Sequence, residues 1–201
     1  MNKKNIFTSG LLAVLTITQL NAEPFTGFYA GVNAGWSQLN ADAKVNGTYN
    51  GATPVIRGKG SHNDFIGGAQ FGYSGLISDL YLAGEVNVDL RSKAGLRKNL
   101  FLPGADFKFG YRSERVVGYA NVGVIVDRFK ISTPFDKKKT MAGFRPGFGI
   151  IGLYGDFMIS TEYTYTQFDS FSKTVTTNGV STTAKIRPNY HTILVRYSYI
   201  F

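Results

Sequence analysis

The stretch Ile193-Leu194-Val195-Arg196-Tyr197-Ser198-Tyr199-Ile200-Phe201 decides the fold. Successive side chains of an extended strand alternate between faces. Val195, Tyr197, Tyr199 and Phe201 therefore share one face, and Arg196 and Ser198 the other. Chain ends usually fray in water, so a final aromatic strand with no polar tail is poorly suited to a soluble protein. It suits the closing strand of a barrel in lipid, apolar outward and polar inward.

Working back from the end, the period of two recurs in seven further segments: about Gly27 to Ser37, Asp64 to Ser74, Leu80 to Arg91, Leu100 to Arg112, Val116 to Arg128, Ala142 to Leu153 and Phe157 to Thr166. The third is the clearest. Leu80, Leu82, Gly84, Val86, Val88 and Leu90 alternate with Tyr81, Ala83, Glu85, Asn87, Asp89 and Arg91. Connections alternate in length. Short turns are predicted near Leu76 to Asp79, Ser113 to Glu114 and Tyr154 to Asp156, and mostly longer polar loops over Gln38 to Asn63, Ser92 to Asn99, Phe129 to Met141 and Gln167 to Pro188. Short turns on one side and long loops on the other are the outer-membrane pattern. The predicted fold is all-β: an eight-stranded antiparallel up-and-down transmembrane β-barrel, with both mature termini on the short-turn, periplasmic side. A soluble lipocalin-type barrel would reverse the polarity, apolar inside and polar outside, and packing this chain's charged face into a soluble core would bury many charges at high cost.

The N-terminus supplies an address. Asn2-Lys3-Lys4-Asn5 is a basic start, Ile6 to Thr18 is uncharged and mostly apolar, and Leu20-Asn21-Ala22 precedes Glu23. This is the pattern of a signal peptide, with cleavage expected between Ala22 and Glu23. The expected organisation is residues 1–22 as signal peptide and 23–201 as one barrel domain. The apolar run is short for a spanning helix, which needs about 20 residues. Cysteine is absent, which excludes disulfides and thiolate metal sites. Without Lys3 and Lys4 the chain keeps 20 basic against 13 acidic residues, a net charge of about +7.

Three motifs carry a family resemblance: Gly27-Phe28-Tyr29-Ala30-Gly31-Val32-Asn33-Ala34-Gly35, Thr161-Glu162-Tyr163-Thr164-Tyr165-Thr166-Gln167-Phe168, and Tyr197-Ser198-Tyr199-Ile200-Phe201. In their order and spacing the mature chain resembles the outer-membrane protein A-like and opacity-protein-like eight-stranded barrels. The resemblance implies integral placement in the outer membrane of a Gram-negative bacterium. It implies that Tyr197, Tyr199 and Phe201 are read by the barrel-assembly machinery, besides forming an interfacial girdle. A periplasmic peptidoglycan-binding domain, present in some members, is not expected.

Candidate chemistry falls in three places. Inside, Glu85, Lys108, Glu162 and Arg196 lie five or six residues up their strands from the short turns, and so in about one layer. Glu85 with Lys108, and Glu162 with Arg196, are the predicted pairs, with Arg145 above them. Asp89, Asp106, Asp127 and Arg112 share the inward phase, and the signs nearly cancel. Near cancellation fits a filled core better than a selective pore, which favours charge of one sign. A small low-conductance porin is the alternative. The second place is the loops. Lys93, Arg97 and Lys98 form one basic cluster, and Arg128, Lys130 and Lys137-Lys138-Lys139 another, with Lys44, Arg57, Lys59, Lys173, Lys185 and Arg187 adding to the same side. These suit lipopolysaccharide phosphates or an anionic host or surface glycan, in an adhesin-like role. A nucleic-acid patch is not expected, for want of an aromatic platform and the right compartment. Third are the two histidines. His62, beside Ser61 and near Asp64, and His191, beside Thr192, are the candidates for a lipid A hydrolase, and no His-x-Ser pairing on one strand face accompanies them. No enzyme activity, metal or cofactor is expected; no His and carboxylate cluster has ligand spacing.

Overall fold

The computed structural model describes residues 24–48, 55–91, 101–131, 137–177 and 180–201. Its strands are β1 (Gly27–Thr48), β2 (Val55–Ile77), β3 (Leu80–Arg91), β4 (Phe101–Ser113), β5 (Val116–Ile131), β6 (Lys137–Tyr154), β7 (Phe157–Phe168), β8 (Phe171–Thr177) and β9 (Val180–Ile200). All neighbours are antiparallel, and β1 pairs with β9, closing the sheet. The barrel has eight staves, because β7 and β8 are two parts of one. Both pair with β9, β7 along Asn189–Tyr199 and β8 along Val180–Ile186. Closure leaves no unpaired edge through the lower barrel, which hydrocarbon demands because it offers the backbone no hydrogen-bond partners.

The alternation read from the sequence is the alternation of burial. Along β3 odd-numbered residues are buried and nearly all even-numbered ones exposed, and along β7 even-numbered residues are buried. The exposed set includes Val32, Val86, Val122, Val124, Ile193 and Val195, an apolar band with aromatics at both ends. Toward the short turns Phe28 meets Tyr73 at 5.0 Å between ring centres, Phe157 meets Tyr197 at 5.2 Å, and Tyr199 meets Phe201 at 5.3 Å. Toward the other end lie Trp36, Phe65, Phe101 and Phe144. Such paired girdles mark the two interfaces of a membrane barrel.

The loops are shorter than the sequence predicts. β1 runs on to Thr48 and β2 starts at Val55, so most of the Gln38 to Asn63 connection is hairpin ladder. Lys137, Lys138 and Lys139, expected in a loop, lie on β6 opposite Ile131, Lys130 and Phe129. The Gln167 to Pro188 segment contains β8 and the start of β9. The reason is length. At about 3.3 Å per residue, β2 with its 23 residues spans roughly 75 Å, more than a tilted strand needs to cross about 30 Å of hydrocarbon. Once past the lipid a strand needs no apolar face, so the pattern stops while the ladder continues. Lys93, Arg97 and Lys98 lie outside the described residues, as do Ala22 and Glu23.

Candidate functional site

Inside the barrel the residues form three tiers. At the short-turn end, Phe25, Tyr29, Tyr81, Val117, Tyr119, Ile151 and Met158 pack into an apolar plug. At the loop end Leu102, Ile125, Met141, Phe168 and Tyr190 form a second apolar cluster. The middle tier is charged. Across the interior as a whole, six carboxylates (Asp64, Glu85, Asp89, Asp106, Asp127, Glu162) and four cations (Arg91, Lys108, Arg145, Arg196) are buried among the described residues, so neither sign has the interior to itself.

At its centre is a four-membered ring of alternating sign. Lys108 Nζ lies 2.7 Å from Glu85 Oε2 and 3.6 Å from Glu162 Oε2. Arg196 Nη1 lies 2.5 Å from Glu85 Oε1, and its Nη2 2.7 Å from Glu162 Oε1. The two carboxylates belong to β3 and β7, which stand on opposite walls of an eight-stave barrel. The ring thus crosses the bore twice. Neighbour pairing alone, the basis of the sequence reading, places Lys108 with Glu85 and Arg196 with Glu162; the crossing contacts come only from closure. Tyr29 Oη donates to Glu85 Oε2 at 3.0 Å, and Tyr119 Oη to Glu162 Oε2 at 2.7 Å.

Arg145 sits on the loop side of this ring. Its guanidinium donates to both oxygens of Asp106, to Asn87 Oδ1 at 3.1 Å and to Asp89 Oδ2 at 3.4 Å. Asn87 donates to Asp106 Oδ2 at 2.6 Å. Asn33 carries the network on to Asp89 and Gln70, and Gln70 to Ser198. Saturating buried charge with donors in this way is what makes its burial tolerable.

Sequence reasoning missed several members. Arg91 stacks 3.8 Å over the Tyr190 ring, and Tyr190 Oη donates to Asp127 Oδ2 at 2.8 Å. Asp64 is buried with His62 Nε2 3.2 Å away. Their phase was readable, Arg91 with Glu85 and Asp64 with Gln70; their partners were not. The tyrosines were hidden for another reason: each needs a glycine beside it. Tyr29 lies opposite Gly72 and Tyr119 opposite Gly149. A Cβ on either glycine would come within 2.6 Å of the tyrosine oxygen, so the bare backbone gives the ring room to lie across the neighbouring strand. Arg112, given an inward role from its phase, instead bonds Asp79 at 3.1 Å at the turn-side rim.

The histidines do not converge. His62 is exposed on β2 in phase with buried Asp64, whereas His191 follows the outward phase of Ile193 and bonds Tyr163 Oη through Nδ1 at 2.7 Å. They flank β1 at adjacent register positions, His62 opposite Leu39 and His191 opposite Gln38, on opposite faces of the wall. Among the described residues no group of three or more His, Cys, Asp or Glu is placed to hold a metal.

A closed, girdled, eight-stave barrel with a charged interior is an outer-membrane β-barrel. The family model described as "Outer membrane protein beta-barrel domain" matches residues 7–201, and the chain belongs to that family. Among solved structures it is similar to neisserial surface protein A, with 17% identity over 89% of this chain and 100% of that one and a TM-score of 0.51. It is also similar to OprG from Pseudomonas aeruginosa (12% identity, 88% and 98% covered, TM-score 0.46) and to the outer membrane protease OmpT from Escherichia coli (9%, 92% and 99%, TM-score 0.45). At 17% identity the likeness to neisserial surface protein A bears on fold alone. No curated protein matches the chain significantly.

Proposed function

We propose that this chain is a plugged, non-enzymatic outer-membrane barrel that contributes to envelope structure and meets anionic surface glycan through its basic loop end. One observation carries the reading: the Glu85–Arg196–Glu162–Lys108 ring crosses the bore between two apolar tiers. A bore filled by side chains favours activity at the rim over passage through it. Orientation follows from the same reading: the turn end, with both mature termini after cleavage behind Ala22, faces the periplasm, and Tyr197, Tyr199 and Phe201 form the segment read by the assembly machinery.

The deciding experiment compares a deletion strain with one carrying Lys137→Gln, Lys138→Gln and Lys139→Gln, scoring membrane integrity and retention on sulfated-glycan beads. Integrity lost only on deletion, with retention weakened in both strains and by salt, is the expected result. Retention that ignores both charge and salt sinks the adhesin-like part.

A small pore is the second reading, and one contact favours it. Lys108 lies within 4 Å of both Glu85 and Glu162, so a shift of its ammonium from one to the other could open a path past the ring. Planar-bilayer recording on pure refolded protein separates the two: a plugged barrel gives no steps, and steps altered by Lys108→Met establish the pore.

A further inference from the structure

Above the lipid-facing band, β2, β1, β9 and β8 continue as a four-stranded sheet, and its two faces differ in composition. Cross-strand partners share a face, so the register assigns each row. Lys44 on β1 stands opposite Arg57 on β2 and Lys185 on β9. Two residues closer to the barrel, Asp42 stands opposite Lys59 and Arg187. Lys44, Lys59 and Arg187 are exposed and Lys185 half-buried. These two rows hold five cations and one carboxylate. The intervening positions of the same three strands hold Ala43, Gly58 and Ile186 in one row and Val45, Ile56 and Ala184 in the next, without charge.

The phase of the basic rows is that of the lipid-facing residues. On the same side of the same strands, Trp36 stands opposite Phe65 and Ile193, all exposed and apolar. The next rows outward are neutral and polar: Gln38 with Asn63 and His191, then Asn40 with Ser61 and Asn189. Then come the cations. The outer wall is therefore zoned from apolar through neutral hydrogen-bonding to basic, in register on three strands. The β5–β6 hairpin continues the pattern, with Lys130 opposite Lys138 in phase with outward Val126 and Ala142.

We propose that this outward face is a binding site for the phosphorylated headgroup of lipopolysaccharide in the leaflet surrounding the barrel. Acyl chains would lie against Trp36, Phe65 and Ile193, sugar hydroxyls against the neutral rows, and phosphates against Lys44, Lys59, Lys185 and Arg187. The zoning singles out a ligand that is apolar, sugar-like and anionic in that order, along the outside of the wall. A glycan arriving from another surface would need no apolar zone beneath its cations. Basic residues near a membrane surface attract anionic headgroups, so removing two lowers affinity by about tenfold or more. The proposal rests on the reading that the loop end faces outward.

Its test uses the full mature barrel, purified in detergent, with binding to lipopolysaccharide measured by native mass spectrometry. Lys44→Gln with Arg187→Gln is compared with an equal change of charge at the short-turn end, Arg112→Gln with Arg115→Gln. Heat-modified gel migration checks that both variants fold. The first set weakens binding about tenfold or more while the second stays within about twofold, and dephosphorylated lipopolysaccharide binds the native protein as weakly as the first set binds the intact lipid. Equal weakening by both sets, no weakening by the first, or displacement by millimolar inorganic phosphate overturns the site. Orientation is read separately. The chain has no cysteine, so Ser172→Cys, opposite Lys185, should react with an impermeant maleimide on intact cells. Failure to label there in a variant that migrates as folded overturns the outward orientation and the headgroup site with it, whereas labelling without weakened binding in the first set overturns the site alone.

Discussion

Mid-bore and outer wall use the same side chains in opposite ways. Inside, Lys108 and Arg196 each contact two carboxylates and are almost wholly excluded from solvent. Above the lipid, Lys44 and Lys59 are exposed, and the two rows they belong to carry a single acid. Charge in the bore is closed on itself, whereas charge on the wall is open to whatever approaches. The same cation is therefore structural in one place and available for binding in the other, and the difference lies in its partners and its solvent.

The largest test of that contrast is Arg196→Leu. It leaves Glu85 and Glu162 buried near each other with only Lys108 between them. Breaking a buried pair from one side typically costs about 3–5 kcal/mol, and that loss is expected in equilibrium urea unfolding from lipid vesicles. Replacing ring members together should cost less than the sum of single changes, because no orphan charge remains. A near-neutral Arg196→Leu would mean that water reaches the ring, which strengthens the pore reading.

Tyr119→Phe is next. It removes one donor to buried Glu162 and leaves the ring's shape alone, for an expected loss of about 1.5–3 kcal/mol. Close behind is a change one strand away. A Cβ at Gly149 would lie 2.6 Å from both Tyr119 Oη and the Thr161 carbonyl, so Gly149→Ala should cost about 1–3 kcal/mol and displace the tyrosine. At Gly60, on the extension, nothing stands within 4 Å of the corresponding Cβ, and Gly60→Ala should stay within about 0.5 kcal/mol. Equal effects at both glycines would erase the distinction between a filled bore and an open sheet.

What could be read from the chain follows from what each pattern measures. Alternation reports which face meets lipid, so the eight staves, their inward charges and the short turns were legible from Phe28 through Phe201. The same signal fades where both faces meet water. That is why β8, the outer half of β1 and the Lys137 to Lys139 segment read as loop, although their ladders continue. Neighbour pairs were legible because adjacent strands fix register. Contacts across the bore, such as Arg196 with Glu85, depend on barrel closure and on glycines that leave room, and no local spacing encodes them.

The smallest expected effect makes the comparison sharpest. Lys59→Gln removes an exposed cation beside Asp42 and Gly58, far from the ring. Exposed charges contribute about 0–1 kcal/mol even when paired, so unfolding should shift by less than about 0.5 kcal/mol. Salt should then separate the two regions without any substitution. At about 1 M ionic strength the screening length falls to about 3 Å, which suppresses attraction by the exposed rows and leaves the buried ring almost untouched. The expected outcome is lipopolysaccharide binding that falls with salt while the urea midpoint holds. A midpoint that falls in parallel with binding would place the ring in contact with solvent, and the division between closed and open charge would have to be redrawn.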